Sequence, residues 1–527
     1  MRSEEIIIVG SGPAGVSAAY PLVESGAPVL MLDGGRTPRM SLPDQPYLVS
    51  RSSDPHQWKW LVGETFHALK NIEGVSPKLR APTLKYVFDD FEHTNRIRSN
   101  NFVSIGSLSV GGLSNAWGCG VARFSSEELI SFPFSPNEMD QSYEIITKRI
   151  GVSANHPDDM SDFFGLDAWA QPAIPLDDLH LYLQKQYEKK RMRSVSSHFR
   201  MGRARVAVLG EDHEGRKKCD QLGNCLWGCH RDSMYSTSKE IPKLQSHRNF
   251  SYKPGFIVNA IVRQDGQWLV KGTLADQALE ISARKVILAA GTLVSTLLII
   301  KALHHRCSVP LFSCPTAAFL LWIPSLLGNQ RRSSFGLGQL SFSIKLSDNV
   351  SGYGSTFSTS GIPVSEFVRH LPFHRRYGVD LLKHLLSSCL VGNLFLPGRL
   401  SSGRVTLDAD DSLRIDGGHS SVVSSLMEEA SRLLHRSFRQ VGAIVMPMSF
   451  KIGLPGGDIH YAGTFPMRKN PKIGETDEMG MIKGLEGLYV VDGSCLPELP
   501  AKPHAFTIMA NADRISRRLV ASFWGEH

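Results

Sequence analysis

The chain has 527 residues, 42% of them apolar, 20% charged and 9% aromatic, a balance that excludes a disordered tail, a coiled coil or a collagen-like fibre and describes a globular protein. Eight cysteines are too sparse for a disulfide-built scaffold, and a net charge of +8 permits phosphate-bearing ligands, nucleic acid or an anionic membrane surface without choosing among them. Most of that charge is local: eight Lys or Arg between Arg331 and Arg399 face only Asp348, Glu366 and Asp380.

In chain order, Glu4 and Glu5 spoil a basic leader, and the apolar run Ile6-Ile7-Ile8-Val9 stops at once in Gly10-Ser11-Gly12-Pro13. A secretory signal is therefore not expected, and the protein is expected in the cytoplasm. The run reads instead as a strand, followed by the turn Gly10-Ser11-Gly12-Pro13-Ala14-Gly15, a helix to Ser25-Gly26 and a second strand over 29–32 that ends in Asp33. Each glycine has a reason in this βαβ unit. Gly10 makes the tight turn, Gly12 lets the backbone approach a pyrophosphate, and Gly15 lets the helix pack closely on the strand. The helix N-terminus faces the phosphates, and Asp33 stands where a carboxylate accepts hydrogen bonds from an adenosine ribose. Pro21 should bend the helix. At this point flavin and nicotinamide are both open.

Residues 256–262 and 267–272 read as a strand pair, and 285–292 as a buried strand running into a glycine turn, which suits a nucleotide domain resumed after an insertion. The apolar run 317–327 contains Pro324 and falls short of the ~20 residues that span a bilayer, so no transmembrane helix is expected. Residues 339–347 alternate, with Leu340, Phe342, Ile344 and Leu346 on one face and Ser341, Ser343 and Lys345 on a face expected to be wet. Apolar residues at helical spacing over 422–441 predict a helix covering that sheet.

Three C-terminal segments then follow one another: Ile459-His460-Tyr461-Ala462-Gly463-Thr464-Phe465-Pro466-Met467, Gly487-Leu488-Tyr489-Val490-Val491-Asp492-Gly493-Ser494, and Lys502-Pro503-His504-Ala505-Phe506-Thr507. Their order resembles the glucose–methanol–choline (GMC) oxidoreductases. Gly111-Gly112-Leu113-Ser114-Asn115-Ala116-Trp117-Gly118 is similar to the family's flavin-contacting loop, and Gly403-Arg404-Val405-Thr406-Leu407 to its substrate-domain hairpin.

The resemblance implies an α/β FAD-binding Rossmann-like domain (1–130, 195–305 and 480–527) interleaved with an α+β substrate domain built on an antiparallel sheet (131–194 and 306–479). It implies FAD held by Gly10, Gly12, Ala14, Gly15 and Asp33, with Gly111, Gly112, Asn115 and Ala116 near the isoalloxazine. Val258 and Gly291 would lie near the adenosine, and Asp492 near the pyrophosphate or ribityl chain. Some relatives attach flavin covalently through a histidine just before the loop tryptophan; this chain has Ala116 there, so non-covalent FAD is expected. His460 is the expected catalytic base, since an imidazole takes the hydroxyl proton as a hydride leaves for the flavin. The family pairs it with a second residue, which one alignment places at Pro503 and another, preferred here, at His504.

Cys219, Cys225 and Cys229, with five and then three residues between them, resemble the three-iron cluster segment of some sugar dehydrogenases of this family. Zinc is an alternative, and a cysteine-lined packing turn holding nothing is the preferred reading. The spacing excludes a c-type haem. The apolar stretch before Arg331-Arg332 and residues 381–391 could rest on a membrane or greet a lipid-linked substrate; the preferred reading is substrate-domain core or a lid. Nothing resembles a nucleic-acid module. The expectation is FAD-dependent oxidation of an alcohol, a sugar or sugar-like hydroxyl by the look of the loop and cysteine segments, with the basic segment able to suit a phosphate-bearing substrate and with a separate electron acceptor. A redox-neutral flavoenzyme (isomerase or lyase) and a non-catalytic flavin-binding scaffold are the alternatives.

Overall fold

The computed structural model describes residues 4–69, 76–192, 195–305, 307–330, 332–368 and 374–524. Arg331 and Arg369 of the basic segment lie outside the described residues.

The strand Glu4–Val9 stands at the centre of a seven-stranded sheet, between Val29–Asp33 and Gln277–Leu288. It is parallel to both, with Ile7 opposite Leu30 on one side and Val286 on the other. Phe250–Pro254 extends the sheet in parallel beyond Val29–Asp33, and Leu488–Val490 pairs in parallel with Gln277–Leu288. A parallel strand buried on both faces reads as an unbroken apolar run, and Ile6, Ile7 and Ile8 are all buried. The hairpin Phe256–Gln264 and Gln267–Leu274 completes the sheet. Its two-residue turn, Asp265-Gly266, has positive φ at both positions, the twist that matches paired strands.

The helix Pro13–Glu24 buries Val16, Ala18, Ala19, Leu22 and Val23 in the core beside this sheet and packs against the C-terminal helix Ala505–Trp524. Pro21 does not end it; the helix continues to Glu24. Proline removes one backbone donor, here the one that would serve the Ser17 carbonyl.

The second large sheet is antiparallel throughout: Ile444–Val445, Thr316–Trp322, Cys389–Phe395, Ser351–Ser358, Gly338–Lys345 and Phe199–Arg203, with Lys451–Ile452 also pairing with Thr316–Trp322. The helix Val423–Gln440 covers one face, setting Leu426, Met427, Ala430, Leu434 and Phe438 against Phe199, Phe319 and Phe342. Two expectations are corrected here. Phe199–Arg203, within a stretch assigned to the nucleotide half, pairs with Gly338–Lys345 instead. The polar face of Gly338–Lys345 is not wet along its length: Ser341 is fully buried and hydrogen-bonded to Tyr353 Oη at 3.1 Å and Ser355 Oγ at 2.9 Å.

Arg404–Leu407 forms an antiparallel hairpin with Leu413–Asp416, which pairs in turn with Ile97–Asn100. In the stretch 381–391, Leu382, Leu386, Ser388, Cys389 and Leu390 are buried while Leu381, Lys383 and His384 are exposed, so its second half is largely core and its start lies at the surface. Among the described residues no helix is long and apolar enough to cross a membrane.

Candidate active site

A cavity of about 1440 Å³ runs between the two sheets, bounded at one end by the turn at residues 10–14 and at the other by the second sheet. The glycines divide the labour at the turn. Gly10 has φ +109°, and a Cβ there would stand 2.4 Å from the Ala289 carbonyl oxygen; a Cβ on Gly15 would stand 1.9 Å from that of Gly10. A Cβ on Gly12 would meet nothing within 4 Å, because this residue faces the open cavity. The helix Pro13–Glu24 starts here with no side-chain cap, leaving its first N–H groups for an anion.

Asp33 closes the strand end beside this turn. Its Oδ2 accepts from the Ser11 hydroxyl and from Ser11 N at 3.3 Å, and its Oδ1 accepts from Gly35 N at 2.6 Å and Tyr252 Oη at 3.0 Å. Burial pushes its carboxyl up in pKa, and these donors pull it back. Four donors fill the lone pairs of the two oxygens.

Along the cavity wall stand Gly112, Ala116, Val258, Gly291 and Asp492, but not Gly111 or Asn115. Gly111 N donates to Ser11 Oγ at 2.8 Å, tying the loop to the glycine turn. Asn115 Nδ2 donates to Ser109 Oγ, the Val110 carbonyl and the Gly112 carbonyl at 2.8–3.0 Å, so this side chain shapes the loop. Asp492 is buried, which raises its pKa; it accepts from Ser295 Oγ at 2.5 Å and from Ser494 N and Oγ at 3.0 and 2.5 Å. Ser295 and Tyr252 are partners that sequence reasoning missed, since each comes from an element far along the chain.

At the second-sheet end, the rings of His460 and His504 meet edge to face with centroids 4.7 Å apart. His460 lies just before the short strand Tyr461–Ala462, after Ile459, whose φ of +60° is an outlier for a β-branched residue. Such strain persists where the surroundings impose it. Here Tyr461 Oη donates within reach of the Val103 and Gly456 carbonyls and accepts from Ile105 N, while Thr292 Oγ1 holds the Tyr461 carbonyl at 2.7 Å. His504 precedes Ala505–Trp524 and its carbonyl accepts the bond from Ile508 N at 2.9 Å. It is therefore His504, and not Pro503, whose ring faces His460, although Pro503 also lines the cavity.

Burial holds both imidazoles below the usual histidine range, His460 at about 4, and for His504 the His460 ring adds to the effect. Both are neutral and able to accept a proton. Each has its Nδ1 buried without a partner, so Nε2 is the nitrogen left to serve the cavity. Behind His460 lies Asp458, also missed from the sequence although it sits two residues away. Its Oδ2 is 3.8 Å from His460 Nδ1 and accepts from Cys314 N at 2.6 Å, and burial pushes its carboxyl up to about 8.

Cys219, Cys225 and Cys229 are free thiols. Burial pushes Cys219 up to about 12 and Cys225 to about 11, which favours thiols over thiolates. Within their segment, Trp227 is buried against Trp60 and Tyr47, and Asn224 accepts from Tyr47 N at 3.0 Å and donates to the Gln45 carbonyl at 2.7 Å. Among the described residues the trio of metal-binding side chains with donor atoms mutually within 4.8 Å is a different one: Cys314, Asp458 and His460.

A parallel sheet ending in a glycine turn, an antiparallel second sheet and a cavity that joins the turn to a histidine pair make up the candidate active site. Residues 400–512 match the family model described as GMC oxidoreductase. A crystal structure of pyridoxine 4-oxidase from Mesorbium loti is similar over all of both chains, with a TM-score of 0.60 and 14% sequence identity, a likeness of fold. No curated protein matches. The family likeness thus covers residues 400–512, and the likeness of fold covers the whole chain.

Proposed function

We propose that the protein oxidises an alcohol carbon of a small molecule, with His460 Nε2 taking the hydroxyl proton and His504 orienting the same hydroxyl. The observation that carries this reading is the pair of facing imidazoles, His504 buried and His460 partly exposed, 4.7 Å apart at the far end of the cavity from the glycine turn. Gly12, Asp33, Gly112, Ala116, Val258, Gly291 and Asp492 would hold FAD, which supplies the hydride acceptor. The open side of Gly12 and the uncapped helix start suit its pyrophosphate. A hydroxyl bonded to a neutral imidazole gives up its proton as the carbon–hydrogen bond breaks, and a base so placed is typically worth roughly 10²–10⁴-fold. The match of residues 400–512 to an oxidoreductase family model argues against the redox-neutral and scaffold readings.

We further infer that the substrate has a largely apolar body. Phe319, Phe357, Phe367, Leu382, Leu385 and Met446 line the cavity on the second-sheet side. Lys78 and Arg80 also line it, but Lys78 Nζ donates to the Trp117 carbonyl at 2.6 Å and Arg80 pairs with Glu366, which speaks against a phosphate held there. A sugar is the second reading: Ser355 and Tyr353 place hydroxyls on the wall, and Asn393 stands beside them. Anaerobic mixing of the FAD-loaded enzyme with apolar alcohols and with sugars tests both. Bleaching by apolar alcohols is expected; bleaching by sugars alone would establish the second reading, and none by any alcohol would remove the proposed activity.

A further inference from the structure

We propose that Cys314, Asp458 and His460 form a binding site for a thiophilic divalent cation of the Zn²⁺ class, and that filling it switches off His460 as a base. The site stands on geometry alone; the switch rests on the reading of His460 given above.

Strand pairing builds the cluster. Phe312–Ser313 runs antiparallel to Tyr461–Ala462 with Ser313 opposite Tyr461, so the next residue, Cys314, falls across from His460. Cys314 N then fixes Asp458 Oδ2 at 2.6 Å, and one donor atom from each of the three side chains lies within 4.8 Å of the other two. The donors are under-used. Asp458 Oδ1 and His460 Nδ1 are buried with no hydrogen-bond partner, the Asp458 side chain has no exposure, and Cys314 Sγ has the Gly398 backbone N–H beside it and donates a long contact, 3.7 Å, to the Pro500 carbonyl. Buried polar atoms in a native protein are normally satisfied, so two orphans on neighbouring side chains beside a thiol call for a ligand.

Sulfur, imidazole and carboxylate together suit Zn²⁺ and not Mg²⁺ or Ca²⁺, which prefer oxygen alone. Bond lengths near 2.0–2.3 Å require the donors to close in by about an ångström, within reach of side-chain rotation. Asp458 and His460 line the cavity and give the ion its path, and a water completes the fourth position. Coordination displaces to solvent the thiol proton of Cys314 and the proton that the buried Asp458 carboxyl carries. An imidazole that binds metal through Nδ1 carries its hydrogen on Nε2, the nitrogen that must be bare to accept the substrate proton.

The test uses chelator-treated, FAD-loaded protein titrated with Co²⁺, whose absorption bands lie at longer wavelength than those of flavin, and then with Zn²⁺ as competitor. One equivalent of Co²⁺ displaced by Zn²⁺ is expected, weakened at least about tenfold in Cys314→Ser and in Asp458→Asn and kept in Cys229→Ser. Binding lost in Cys229→Ser but kept in the other two would overturn the site, as would no binding at all. Alcohol-driven flavin reduction should fall at least about tenfold with Zn²⁺ in the parent, while Cys314→Ser stays at its own metal-free rate. Binding at the site with no change in reduction would overturn the switch. Should Cys314→Ser fail to carry FAD, Asp458→Asn bears the comparison. The cobalt spectrum needs no substrate, so failure of the proposed activity would leave the site fully tested.

Discussion

His460 and His504 present their rings edge to face at 4.7 Å, the first held by a strained loop against the second sheet and the second by the start of the C-terminal helix. Neither element alone would aim an imidazole at the cavity. Phe395 adds a third ring 5.0 Å from His460. Two side chains sharing one hydroxyl act as a unit, so their losses overlap. His504→Ala is expected to slow flavin reduction by roughly tenfold or more, and His460→Ala/His504→Ala to cost far less than the product of the single losses. Single-turnover measurements on the three variants check this, and strict additivity would separate the two roles.

Gly12 and Gly15 should fail differently. A side chain on Gly12 enters the open cavity, so Gly12→Val should fold within about 1 kcal/mol of the parent apoprotein yet bind no FAD. Gly15→Ala drives a methyl into the Gly10 carbonyl, and the fold should lose about 3 kcal/mol. Urea unfolding of the apoproteins and flavin content after reconstitution distinguish them. Full FAD occupancy in Gly12→Val would displace the nucleotide from this turn.

Acid precipitation should release all the flavin, because the residue before Trp117 is alanine. Re-adding FAD at about 100 times its dissociation constant should restore roughly 2.7 kcal/mol of stability. Yellow colour left on the washed precipitate would mean a covalent link elsewhere in the chain.

Phe357 lines the cavity from Ser351–Ser358. Phe357→Ser removes apolar contact worth about 1.5–3 kcal/mol, so kcat/KM for an apolar alcohol should fall roughly 10–100-fold. FAD occupancy should not change. An unaltered kcat/KM for apolar alcohols, together with improved turnover of sugars, would count against the apolar substrate.

Local chemistry explains what could be read in advance. The central strand announces itself because a strand buried on both faces is apolar at every position, and the three glycines because each meets a different obstacle or opening. Alternation in Gly338–Lys345 tells which side chains share a face but not what that face meets, which is why Ser341 was expected in water and lies against Tyr353. Phe199–Arg203 has no period long enough to assign a sheet, and its neighbour is set by a pairing across the chain. Asp458 shows the same limit at the site. Its nearness to His460 is local, but its meaning depends on Cys314, delivered by a strand from elsewhere.

The half-reaction of His460→Ala, followed anaerobically on protein already shown to carry FAD, addresses the mechanism most directly. Loss of the base should leave flavin binding intact and slow alcohol-driven reduction by roughly 10²–10⁴-fold. Reduction at about the parent rate would contradict the account, because the hydroxyl proton would then be leaving by a route that does not involve His460.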